Sequence, residues 1–201
     1  MLKPSGYDEA SAGGGYTPAE LGGHYAQIKQ VTETQSQSGK DMIVVLLDFV
    51  APDKQAGLFK SQFDSDTRDQ RKWPNQGTKY IMVADYADPK ATSRTFKGFI
   101  TSVEKSNNYK VQWGGANWGV QFKGKSVGVV YGEEEDEYNG RVTMRPTIKY
   151  FCSTSDVATA QIPKPKYLKN STNAPGAIGS GAARDNSFIN VPDSADEEIP
   201  F

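Results

Sequence analysis

Polar and apolar positions change period several times along this chain, and each change marks an element. Over residues 25–34 they alternate, a turn follows at "SQSGKD", and "MIVVLLDFV" (42–50) is apolar at every position but Asp48. Alternation predicts a strand with one covered face, and an unbroken apolar run of this length predicts one covered twice. The pair therefore reads as a hairpin whose second strand is central. After the breaker "APDKQAG", "LFKSQF" (58–63) predicts a further short strand, whereas "TKYIMVADYA" suits strand or helix equally. Over 92–105 the period becomes 3.6: Phe96, Phe99, Ile100 and Val103 share one helix face, with Ser93 placed as N-cap and "SNN" as the stop.

A second hairpin closes the patterned region. Its first arm, "SVGVVYGEEEDEY", ends at Asn139-Gly140, the two-residue turn whose positions must both accept positive φ. The return arm alternates, with Val142, Met144, Ile148 and Tyr150 on one face and Arg141, Thr143, Arg145, Thr147 and Lys149 on the other. Beyond 162 the chain turns to Pro, Gly, Ser and Asn, with too few apolar residues to offset the entropy of ordering it. The organisation expected is a flexible arm (1–21), a body (22–162), a disordered linker (163–192) and a terminal tip (193–201). Two strands, a third, one late helix and a long hairpin make a mainly β body. The architecture that fits is an OB-fold-like five-stranded barrel with one bridging helix, although another small barrel or an α+β sandwich also meets the pattern.

Length and composition then narrow the class. The chain has 201 residues, of which 36% are hydrophobic and 23% charged, enough for one core. No apolar run reaches the 18 residues a membrane helix needs, so no membrane association is expected. The first residues lack the order of a secretory signal, and the single Cys permits no internal disulfide; a reducing cytoplasm is the expected location. The net charge of −1 hides an asymmetry. Five acids follow Arg184 (Asp185, Asp193, Asp196, Glu197, Glu198) with no base among them, leaving 19 acids against all 23 bases in residues 1–184. A mildly basic body with an acidic end suits nucleic-acid or partner binding.

Catalytic chemistry is poorly represented. One His and one Cys cannot build a zinc cluster, and there is no phosphate-binding Gly loop, nucleophile elbow or H-E-x-x-H. The pattern places His24 at the surface or rim and Cys152 as a buried structural thiol. Nothing calls for a cofactor or bound metal. The acid run Glu133, Glu134, Glu135, Asp136 and Glu137 is the one feature that suggests a divalent-metal nuclease or recombination factor, with Asp85 or Asp88 assisting. Consecutive acids on a strand, however, point to opposite faces and do not converge on one ion. Basic-aromatic interleaving is stronger. "YKVQWGGANWGVQFKGK" combines Tyr109, Trp113, Trp118 and Phe122 with Lys110, Lys123 and Lys125, the flat faces and cations that a single-strand binder uses. Both tryptophans suit the core equally well. Arg141, Arg145 and Lys149 share a strand face that could follow phosphates or simply meet solvent, and "RDQRKWPNQGTKY" adds Trp73 and Tyr80 on a rim loop.

The tail carries a resemblance. "DSADEEIPF" resembles the C-terminal tip of bacterial single-stranded-DNA-binding proteins, where a polar linker ends in several acids and Ile-Pro-Phe. The resemblance implies docking onto replication, recombination or repair enzymes. Ile199 and Phe201 would supply the apolar end, Phe201 entering a pocket with its α-carboxylate on a basic residue. Pro200 would fix the backbone, and Asp193, Asp196, Glu197 and Glu198 would face a basic rim. The body is more similar to the single-stranded-DNA-binding proteins of tailed bacteriophages, in "GGHYAQIKQVTETQSQSGKDMIVVLLDFV", "EKSNNY", "FKGKSVGVVYGEEE" and "EYNGRV". That similarity, diffuse over much of 22–152, implies an OB fold and a replication or recombination role in the cytoplasm of a bacterial host cell. It assigns no DNA-contacting positions and leaves homo-oligomerisation open.

An acidic tip tethered by some thirty linker residues would compete for a basic groove at an effective concentration of order mM, and DNA would release it. A virion or scaffold protein with an adhesive acidic tail is the third class, and it would bind no DNA at all.

Overall fold

Strand β1 (Gly22–Gln35) sets the architecture because it is bent. Its buried positions are even-numbered as far as Ile28 and resume at Val31, where an irregularity in its ladder leaves Lys29 unopposed. Such a bulge bends the strand and raises its twist. The first half, Gly22 to Gln27, pairs with β4 (Ser126–Tyr138), and the pairing with β2 (Asp41–Phe49) begins at Ala26 and runs to Gln35. The computed structural model describes residues 17–115, 117–169, 171 and 173. Its contacts form two units divided between Tyr167 and Leu168, and the architecture below belongs to the first. In the second, the Ser171 amide donates to the Leu168 carbonyl. The acidic tip and most of the linker lie outside the described residues.

The sheet is antiparallel and five-stranded, in the order β3-β2-β1-β4-β5, with β3 at Thr78–Met82 and β5 at Arg141–Cys152. Apolar β2 is central, as its pattern predicts; Ile43, Val45 and Leu47 are buried, and Met42, Val44 and Leu46 are half-covered. Helix α2 (Arg94–Asn107) lies two residues from its expected span at each end. Ser93 Oγ accepts from the Phe96 amide as N-cap, and Asn108 in the left-handed region ends the helix. Its Phe99 meets Phe122 and Phe151 at 5.5 and 5.0 Å between ring centres, which ties the helix to the β4–β5 side. Asn139 and Gly140 take the positive φ values, 51° and 73°, that their hairpin turn requires.

Three expectations are corrected. "LFKSQF" forms a helix, α1 (Leu58–Asp64), rather than a strand, because buried Asp48 accepts from the Phe59 amide at 2.9 Å and from the Phe49 amide at 3.0 Å. The polar interruption in β2 thus anchors the first turn of α1. Asp48→Ala leaves two buried amides without an acceptor, and a loss of about 1–3 kcal/mol is expected in denaturant unfolding. His24 is buried, not at the rim: only 5% of it is exposed, Nδ1 contacts Asp53 Oδ2 and Nε2 the Glu20 carbonyl, both at 3.0 Å, and the ring stacks on Phe49. Tyr150 leaves the face it shares with Ile148 in a regular strand. Lys149 is an extra residue opposite Val130 and Tyr131, so Phe151 returns to the core and Tyr150 turns outward.

The body also extends past the boundaries that composition sets. Ala19 is buried and its amide donates to Gln76 Oε1. Lys166 pairs in parallel with Glu134 of β4, its amide donating to the Glu133 carbonyl and its carbonyl accepting from the Glu135 amide. Cys152 is half-buried, and burial together with nearby Asp156 pushes its thiol up to about 11. Alkylation by iodoacetamide is expected to be slow at neutral pH and to accelerate only as the pH approaches that value.

Candidate nucleic-acid interface

The two edge strands, β3 and β5, share no ladder among the described residues, and a groove of about 940 Å³ lies between them. Lys79 spans it, its Nζ donating to the Ile148 carbonyl at 2.6 Å. As strand neighbours Lys79 and Tyr80 point to opposite sides, Lys79 half-buried opposite Val45 and Tyr80 outward opposite Val44, and both line the groove. Tyr80 is 63% exposed. Gln76 and Pro146 also line it, with Arg145 and Thr147 from β5.

A charge cluster borders this groove. Lys149 and Lys166 hold Glu134 at 3.1 and 2.7 Å, and Arg145 meets Asp136 at 3.2 Å. Burial alone would raise the Glu134 carboxyl, but hydrogen bonds and charge from Lys166 and Lys149 outweigh it and hold the group down at about 2. Burial pushes Lys79 down, against the pull of Glu134. Four cations thus stand around two carboxylates. Because the Glu134 pKa is depressed, its contribution to stability is present above the ordinary carboxylate range and is lost as pH falls from there through about 2. Glu134→Gln is expected to flatten the acid limb of stability over that window, as followed by urea unfolding at stepped pH.

The acid run is divided as strand geometry requires. Glu134 and Asp136 face the β5 cations, while Glu135 is buried. No three His, Cys, Asp or Glu side chains among the described residues are grouped to hold a metal ion.

The remaining candidates are dispersed. Trp73 is pinned in the body, Nε1 donating to the Leu47 carbonyl at 3.0 Å and its ring against Phe63. Tyr109 donates its hydroxyl to Gln121 and lies under Lys125, 4.3 Å from its ring centre; Lys110 pairs with Glu104. Lys123 and Arg141 are exposed. Trp113 and Trp118 stack on each other beside a different cleft, which shares no lining residue with the first and is lined by Glu33 and Asp41 but by no Lys or Arg. Of the residues singled out from the sequence, the structure gathers Tyr80, Arg145 and Lys149. It adds Lys79 and Lys166; for Lys79 the adjacent cation and aromatic at Lys79-Tyr80 is the signal the sequence carries, and Lys166 has none.

A scan against protein-family models finds none that matches this chain, and a search of curated proteins finds no match either. Among the described residues, no helix is long and apolar enough to cross a membrane.

Proposed function

We propose that this chain is a sequence-tolerant single-stranded-DNA-binding protein, phage-encoded and active in the cytoplasm of a bacterial host, whose body is an OB-type barrel. The strand order, the bulged β1 shared between two partners and the helix entered after β3 support that architecture. The acidic tip recruits replication, recombination or repair enzymes.

The observation that carries the reading is the β3–β5 groove, where exposed Tyr80 stands beside Lys79 and a cluster holding more cations than carboxylates. Single-strand binders need a face on which any base can stack and cations that follow the backbone, and this groove offers both. Glu134 acts as the internal counter-ion that nucleic acid displaces. Glu134→Gln removes that competitor, so oligo-dT affinity is expected to rise and its salt dependence to steepen. Fluorescence anisotropy at several salt concentrations reads both; an unchanged slope would place the phosphates elsewhere.

A further inference from the structure

Trp113, 66% exposed, lies with Trp118 and Phe96 along one cleft. The ring is held by stacking on Trp118, 5.5 Å away at 21°; Trp118 in turn sits edge-on to Phe122 at 4.7 Å and beside Phe96 at 6.2 Å. The adjoining cleft holds about 360 Å³, room for one large side chain with its backbone. Its walls are apolar at Met42, Val83 and Phe96, and its rim carries Glu33 and Asp41. Neither carboxylate has a cationic partner among the described residues; the Asp41 side chain accepts from the Gln35 side-chain amide at 3.2 Å.

An aromatic face flanked by two uncompensated carboxylates repels phosphate and the chain's own acidic tip alike. It attracts a cation. We propose that this cleft docks a basic segment of a partner protein, with an arginine laid over Trp113 and its guanidinium shared between Glu33 and Asp41. Arginine fits better than lysine because its planar group stacks on a ring and still presents N–H donors at its edge to carboxylates. Trp118 supplies a second mark of a ligand. It lines the cleft and is only 8% exposed, and its solvent-shielded Nε1 has no acceptor among the described residues; a small turn of the ring toward the cleft would present that N–H to a peptide carbonyl entering with the arginine. The proposal is independent of the DNA-binding reading, since the two clefts share no residue.

The full chain has three tryptophans, so ¹⁵N-indole labelling gives three resonances, assignable with single Trp→Phe variants. The probe is a capped pentapeptide with one central arginine between leucines, and the control replaces that arginine with uncharged citrulline. The arginine peptide is expected to shift the Trp113 and Trp118 resonances saturably and leave Trp73 unmoved. Citrulline, or the double variant E33Q/D41N, is expected to weaken the effect about tenfold, and the unmoved Trp73 signal reports that the fold is retained. Equal binding of the citrulline peptide would overturn the proposal, as would the absence of any shift at millimolar peptide. So would oligo-dT moving Trp113 and Trp118 while the arginine peptide does not, since the cleft would then stack bases.

Discussion

Replacing Tyr80 with Ala is expected to weaken oligo-dT binding by about 5- to 150-fold, the loss of one stacking platform worth roughly 1–3 kcal/mol. The ring is largely exposed on an edge strand and meets only half-covered Val44 across the ladder, so the fold should be retained and melting should move little. Tyr80→Phe keeps the stacking face and should keep most of the affinity. Arg145→Ala acts differently: each lost phosphate contact lowers the slope of log affinity against log salt by about 0.7 while leaving tolerance of sequence intact. If Tyr80→Ala binds as tightly as the parent, the groove is not where bases stack.

Deleting residues 193–201 is expected to abolish capture of replication and repair enzymes and to leave the body's melting unchanged. The deletion removes four carboxylates and the terminal Phe201 but no residue of the sheet. DNA affinity should hold or rise, because a tethered anion that competes for the basic groove is gone, and the gain should shrink as salt screens the tail. Phe201→Ala alone should cause most of the loss of partners, since an aromatic anchor buried in a pocket is the kind of residue that dominates an interface. Pull-downs with parent and Phe201→Ala protein check this directly; identical partner sets would reduce the tip to a solubilising tail.

The long elements were legible because their patterns are strong and local. The apolar run in β2, the 3.6-residue spacing of Phe96, Phe99, Ile100 and Val103, and Asn139-Gly140 each have one physical reading, and each appears where expected. What escaped depends on contacts between distant residues. The α1 turn is set by Asp48, eleven positions from the Phe59 amide it receives, although Phe59 and Phe63 already stood four apart. The bulge at Lys149 arises from pairing across the β4–β5 ladder and cannot be read from the alternation of one strand. The candidate site was legible only in part. Basic-aromatic spacing found Tyr80, Arg145 and Lys149 but ranked Trp113 and Trp118 ahead of Tyr80, because spacing says nothing of the carboxylates that another hairpin brings beside those rings. Lys166 lay in a stretch read as linker, and only its pairing with Glu134 brings it to the groove.

The measurement closest to the central claim is an equilibrium titration of the full chain against fluorescein-labelled oligo-dT and a mixed-sequence duplex of the same length, at low and physiological salt. Tighter binding to the single strand is predicted, with an affinity that falls steeply with salt and a site of roughly 4 to 16 nucleotides per chain. Equal affinity for the duplex, or no binding to either strand at low salt, would contradict it.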